Sequence, residues 1–236
     1  MEELSLSLRL GSLAAAALFV HLAGCSSEPA STNDMAAAPA PAAAPTAQPV
    51  TGKLVLAFGD SLYAGYGVPP QESFPAELQA ALRKQGTEAT VHNGGVSGDT
   101  TAAGRQRLAY TLDGLTRKPD LVVLGLGGND MLRGIDPEQT EANLRAMLDE
   151  LTRRGIPVVL TGMVAAPNLG RAYGERFDAI YPALARDYDA PLYPFFLQDV
   201  VTDQRLMLPD RIHPNPQGID RVVERVAPLV ANALSS

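Results

Sequence analysis

The chain is short of the residues that define several common protein classes. It has one cysteine, Cys25, so an intrachain disulfide is excluded, and no Cys/His cluster has the spacing of a zinc site. There are 19 basic against 26 acidic residues, a net charge of −7, with no run of Lys or Arg. Such a surface has no electrostatic footprint for nucleic acid. The first apolar run of the domain leads into neither Gly-x-Gly-x-x-Gly nor a phosphate-binding loop, which counts against a nucleotide binder. No cofactor and no metal is expected.

Only one long apolar run occurs near the amino terminus. Leu10 to Ala23, broken by Gly11, Ser12 and His21, has the length of a signal-peptide core and is too short to span a bilayer. It ends in Leu22-Ala23-Gly24-Cys25, which resembles the lipobox of bacterial lipoproteins. The resemblance implies lipid transfer to the Cys25 sulfur, cleavage before it and acylation of the new amino terminus. Several acyl chains hold a protein far more firmly than a single one. The segment ahead of the run departs from the pattern, with Glu2 and Glu3 against a single Arg9. Ser26, where Asp would retain the protein, leans by resemblance to enterobacterial sorting toward the outer membrane. Ser27 to Pro49 is rich in Ala and Pro and reads as an extended tether. The expected organisation is a leader over 1–24, a lipidated cysteine with its tether over 25–51, and one domain over 52–236. The expected product is an exported monomer on the periplasmic side, held to the membrane through the lipid on Cys25.

From Leu54 onward, short apolar runs alternate with stretches of helical period. The runs are Leu54–Phe58, Ala89–His92, Leu121–Leu126, Pro157–Met163 and Pro191–Phe196. Leu121-Val122-Val123-Leu124 is apolar on both faces, as in a parallel strand covered by helices on each side. Helical stripes are formed by Leu78, Ala81 and Leu82, by Leu108, Leu112 and Leu115, by Leu144, Met147, Leu148 and Leu151, and by Ile219 through Val230. Tyr173 to Leu184 also has helical period, interrupted by Pro182. This alternation predicts an α/β fold with a parallel sheet between two layers of helices.

In such folds, active residues gather beyond the carboxyl ends of the strands. The first run leads into Gly59-Asp60-Ser61-Leu62, the second into Gly94-Gly95-Val96-Ser97-Gly98-Asp99-Thr100, and the third into Gly127-Gly128-Asn129-Asp130. A late loop carries Asp210-Arg211-Ile212-His213-Pro214. A serine hydroxyl needs a base to become a nucleophile, and the base needs a carboxylate to fix its tautomer. Asp210 and His213, three apart, can meet the second need locally. Of three histidines, His21 leaves with the leader and His92 sits inside the second run as a strand-end residue satisfied by a hydrogen bond; His213 is the expected base. Gly98, ahead of a helix, offers an N–H that can approach a substrate closely.

These four blocks, in this order, resemble the GDSL/SGNH hydrolase family over nearly all of 54–233. They look closest to its multifunctional thioesterase/lysophospholipase and bacterial arylesterase group. The resemblance implies a flavodoxin-like three-layer α/β/α sandwich with about five parallel strands. It implies Ser61 as nucleophile, His213 as base and Asp210 as the orienting acid. The oxyanion donors it implies are the Ser61 and Gly98 N–H groups and the Asn129 amide. Members near this group often have Asp-Gly-Ile-His where Arg211 stands here, and Arg211 is expected to face solvent. Asp60 is expected to hold the Ser61 turn, Asp130 to structure its loop, and Asp99 to be a turn or helix-start residue. These three carboxylates at strand exits lack the further ligands of a metal site. The loops Met131 to Asp136 and Val164 to Tyr173 would flank the cleft, making Met131, Leu132, Ile135, Val164 and Leu169 candidates for acyl contact or for ordinary packing. The expected activity is ester hydrolysis through an acyl-enzyme, on an acyl ester substrate. A carbohydrate O-deacetylase can present the same blocks, and a binding lipoprotein without turnover is the alternative outside catalysis.

Overall fold

Lys53–Gly59 (β1) and Leu121–Gly125 (β3) are buried along nearly their whole length, on both faces. Strands of this kind belong in the middle of a sheet with helices on each side. The computed structural model describes residues 52–236 and places them there. Ala89–Gly95 (β2) pairs with β1 from Lys53↔Ala89 to Gly59↔Gly95, and Val158–Thr161 (β4) and Leu192–Tyr193 (β5) follow beyond β3. All pairs are parallel, in the order β2-β1-β3-β4-β5. The leader, Cys25 and the Ala/Pro-rich stretch lie outside the described residues.

The helices divide into two packed groups. Phe74–Lys84 (α2) packs on Pro216–Ser235 (α8), while Thr101–Asp113 (α3) packs on Pro137–Arg153 (α5). Arg171–Asp178 (α6) and Ile180–Asp187 (α7) join the second group against α5. Two short helices, Ser61–Ala64 (α1) and Gly128–Leu132 (α4), leave β1 and β3 directly and had no counterpart in the periodicity. The result is the expected three-layer α/β/α sandwich. The helix stripes are the buried faces: Leu144, Met147, Leu148 and Leu151 in α5, and Ile219, Val222, Val223, Val226 and Val230 in α8. Caps fix the starts, with the Asp136 carboxylate accepting from the Glu138 N–H and the Asn215 side chain from the Gly218 N–H. Proline at the first turn of α5 and of α8 fits a position whose N–H has no intrahelical partner.

Pro182 interrupts its helical stretch as expected: it lacks an N–H for the Asp178 carbonyl, and α6 ends at Asp178 before α7 begins. Two differences from the sequence reading have local causes. The last two apolar runs contain shorter strands than their lengths suggested. Pro191 and Pro194 bracket β5, and proline cannot donate to a sheet ladder. Leu115 falls beyond the end of α3 at Asp113 and packs on the core from the following turn. Among the described residues, no helix is long and apolar enough to cross a membrane.

The strand order reverses between β2-β1 and β1-β3, so the crevice of the sheet opens above the ends of β1 and β3. Ser61 follows one end and Asn129 the other. Gly95, at the end of β2, lets α1 lie close: a Cβ there would sit 2.3 Å from the Ala64 nitrogen and 2.6 Å from the Tyr63 carbonyl carbon. Gly95→Ala should therefore push α1 off the sheet, costing about 1–3 kcal/mol in urea unfolding as overpacking does. The same shift should lower kcat on an ester substrate; unchanged stability and activity would mean that α1 is not held this closely.

Candidate active site

The first strand ends at a buried carboxylate. Asp60 is 3% exposed; its Oδ1 accepts the Leu62 N–H at 3.0 Å, and its carbonyl accepts the Tyr63 and Ala64 N–H groups. This cap turns the chain from strand to helix within one residue and leaves Ser61 projecting above the sheet. Behind it, Leu62 and Tyr63 anchor the turn in the core. The Tyr63 hydroxyl bonds Thr161 Oγ1 of β4 at 2.8 Å, and its ring packs on Phe74 and Phe196 with centroids 4.8 and 5.4 Å away.

The late loop is tied to itself. Leu208 N–H donates to the His213 carbonyl at 2.8 Å, and Arg211 N–H to the Leu208 carbonyl at 2.9 Å. Asp210 Oδ1 accepts the Ile212 and His213 N–H groups at 2.9 and 3.1 Å, while Oδ2 lies 2.7 Å from His213 Nδ1. The other ring nitrogen, Nε2, lies 2.8 Å from Ser61 Oγ. Burial pushes the Asp210 carboxyl up, but the hydrogen bonds from Ile212 and His213 outweigh it and hold the group below its ordinary value. An ionised Asp210 accepts a hydrogen bond from Nδ1–H and so keeps the proton on that nitrogen, which leaves the Nε2 lone pair to accept from the Ser61 hydroxyl. Arg211 is exposed, as expected, and has a φ of 58°. That left-handed conformation favours glycine, which accounts for the Asp-Gly-Ile-His pattern it replaces.

Around Ser61 the exits of β1, β2 and β3 are bound together. Among the described residues, the Ser61 and Gly98 N–H groups have no acceptor. The Asn129 amide donates to the Asp99 carbonyl at 3.0 Å and to Asp60 Oδ2 at 3.3 Å. Arg107, which sequence reasoning missed, fixes the other side of this loop. Its guanidinium lies 3.9 Å above the Phe58 ring and donates to Asp99 Oδ2 at 2.6 Å and to the Gly59 carbonyl at 2.9 Å. Asp99 closes a turn as expected, its N–H donating to the Val96 carbonyl at 3.2 Å, and pairs with Arg107; the helix start is Thr100, whose side chain accepts from the Ala103 N–H. Asp130 is fully buried and accepts from the Thr101 N–H and hydroxyl and from the Thr140 hydroxyl, tying α4 to α3 and α5. His92 is exposed within β2 rather than at a strand end, and among the described residues its ring has no hydrogen-bond partner.

The substrate candidates separate by exposure. Met131 is buried in α4, and its sulfur accepts the Ala166 N–H, which is ordinary packing. Leu132 (55% exposed) and Val164 (40%) stand free at the exits of β3 and β4. Ile135 is half-buried, its carbonyl accepting from the Tyr173 hydroxyl, and Leu169 packs partly on the core. The stretch expected as one loop from Met131 to Asp136 thus begins in a helix, and Tyr173 belongs to α6. Among the described residues, no group of three or more His, Cys, Asp or Glu is placed to hold a metal ion.

A serine hydroxyl, an imidazole and a carboxylate bonded in series, above the switch point of a parallel sheet, define a serine hydrolase of the three-layer α/β/α class. More closely, the chain belongs to the GDSL-like lipase/acylhydrolase family, which residues 57–221 match. It is 42% identical over 173 residues to a Vibrio mimicus protein named arylesterase, covering 73% of this chain and 86% of that one. With "Thioesterase 1/protease 1/lysophospholipase L1" of Escherichia coli K12 it shares 39% identity over 180 residues, 75% of this chain and 84% of the relative. Among solved structures, the SGNH-hydrolase family esterase AlinE4 is 50% identical with a TM-score of 0.67, covering 77% of this chain and 96% of that one.

Asp60 gives the site a measurable pH signature. Burial raises its pKa from 3.8 to about 6, against the Leu62 hydrogen bond, the pull of His213 and the Asn129 amide, and Asp99 adds to the rise. Between about pH 4 and 6 the folded state holds a proton that the unfolded state has lost, so this group's contribution to stability falls as pH rises. The span corresponds to about 3 kcal/mol at most. Asp60→Asn keeps a capping oxygen but does not titrate. Urea unfolding at about pH 4.5 and pH 7 should show the wild type gaining on the variant at the lower pH; a gap that ignores pH would refute the buried, proton-holding Asp60.

Proposed function

We propose that this ester hydrolase works through an acyl-enzyme on Ser61, with His213 as general base and Asp210 as the acid that orients it. The observation that supports this best is the continuous series from Ser61 Oγ to His213 Nε2 at 2.8 Å and from His213 Nδ1 to Asp210 at 2.7 Å. Ser61 Oγ attacks the acyl carbonyl as its proton passes to Nε2. Asp210 stabilises the imidazolium without taking that proton. The tetrahedral oxyanion is met by the Ser61 and Gly98 N–H groups and by the Asn129 amide. One Asn129 N–H stays on the Asp99 carbonyl, and the other, at the longer 3.3 Å from Asp60, turns to the oxyanion. The imidazolium returns its proton to the leaving group, and a water then repeats the sequence to release the acid.

Relatives carrying the names arylesterase and thioesterase/lysophospholipase support acyl esters as substrates. Leu132 and Val164, exposed beside the exits, are suited to acyl contact, with Ile135 and Leu169 behind them. We place the protein outside the cytoplasm, anchored through lipid on Cys25, because the leader ends in the lipobox-like Leu22-Ala23-Gly24-Cys25, and favour the outer membrane because Ser26 rather than Asp follows the cysteine. There it meets lipids, aryl esters or acylated glycans rather than the cytosolic acyl-CoA pool.

A fluorophosphonate should label the wild type at Ser61 and leave Ser61→Ala unlabelled and inactive; an active Ser61→Ala enzyme would end this reading. Asn129→Ala should lower kcat by about 10²–10³ with little change in KM, as loss of an oxyanion donor does. Cells fed a labelled fatty acid should incorporate it into the wild type and not into Cys25→Ala, and a wild type that carries no label would remove the anchor.

A further inference from the structure

Tyr66 is 52% exposed, yet its ring lies on the imidazole of His213, with centroids 4.4 Å apart and planes inclined by 33°. The backbone on either side is built for this placement. Gly65 closes α1 at φ 83° and returns its N–H to the Ser61 carbonyl, and the Tyr66 N–H reaches the same carbonyl at 3.2 Å. Gly67, at φ 73°, lets the segment come down on the histidine loop, since a Cβ there would lie 2.7 Å from Leu208 Cδ1. Leu208 is the residue whose N–H holds the His213 carbonyl. Both glycines occupy left-handed backbone that a side chain would strain. Tyr66 is therefore tied at one side to the carbonyl of Ser61 and at the other to the loop and ring of His213.

We propose that Tyr66 is a positioning residue for the base: its ring face holds the His213 imidazole toward Ser61 Oγ and favours the imidazolium formed during attack. This rests on Ser61 as nucleophile and His213 as base. An imidazole hydrogen-bonded at its two nitrogens can still tilt through its side-chain torsions, and a ring laid on its face limits that motion. The face of an aromatic ring is negative, so it attracts the cation that appears when the Ser61 proton reaches Nε2. The charged groups that act on the imidazole are Asp210 on its own loop and Asp60 at the end of β1. Both are carboxyl groups bonded elsewhere as well, Asp210 to the backbone of its loop and Asp60 to Leu62 and Asn129.

The test compares the wild type with Tyr66→Phe and Tyr66→Leu on p-nitrophenyl butyrate across about pH 5 to 9, with melting temperatures recorded and the wild type labelled by a fluorophosphonate. Leucine still covers the imidazole but offers no π face. Tyr66→Phe should stay within about twofold of wild-type kcat. Tyr66→Leu should lose about three- to tenfold in kcat, with KM nearly unchanged and the acid limb of the rate profile displaced to lower pH. Tyr66→Met repeats the comparison, so that one poorly folded variant does not decide it. Leucine and methionine variants with wild-type kcat and acid limb would overturn the proposal, as would a phenylalanine variant as impaired as leucine. If the wild type is labelled at Ser61 in either case, only the role of Tyr66 falls; no label at Ser61 would remove the base assignment on which it stands.

Discussion

The proposed chemistry depends on one hydrogen bond between groups 152 positions apart, Ser61 Oγ and His213 Nε2. Neither partner reaches the other through local structure. Ser61 is carried by β1 and a four-residue helix, and His213 by a loop that leads into the last helix. The sheet must enclose β1 between β2 and β3, and α8 must pack on α2, before the two can meet within 2.8 Å. The buried apolar faces supply that registration, because helices packed on a twisted sheet leave little freedom in where their ends fall.

The polar groups at the strand exits refine what the core sets. Asp60 caps α1 and meets the Asn129 amide; Asn129 also holds the Asp99 carbonyl; Asp99 in turn pairs with Arg107, which reaches back to the end of β1. The circuit closes on itself, so no one exit can shift without disturbing its neighbours. Its cost is a carboxyl buried beside Ser61, kept there because its hydrogen bonds hold both the Ser61 turn and the Asn129 amide. Donors fixed in advance in this way are what the proposed oxyanion site requires.

Much of this was legible in the order of the residues. β1 and β3 announce themselves because strands covered on both faces are apolar without alternation, and the stripes of α5 and α8 because one face of each is core. Asp210 and His213 are readable as a pair because they lie three apart in one loop. The four motif blocks pointed to the family that the comparisons bear out. What could not be read is tertiary. Nothing in the pattern says that Arg107, on α3, reaches Gly59, or that Asp99 pairs with it instead of capping the helix. α1 and α4 are too short to show a period, and the brevity of β5 follows from prolines whose effect depends on lying at a sheet edge. The stack of Tyr66 on His213 left one trace, the glycines at 65 and 67, which has meaning only once the loop above them is known.

The hydrogen bond itself can be observed. With ¹⁵N-labelled histidine and Asp210→Asn as the reference for assignment, NMR at neutral pH reads which nitrogen of His213 carries the proton. The expected result is a protonated Nδ1 with a strongly deshielded, low-field proton that disappears in Asp210→Asn, and an unprotonated Nε2 perturbed by Ser61→Ala. A proton on Nε2 and a bare Nδ1, insensitive to both substitutions, would contradict the account at its centre.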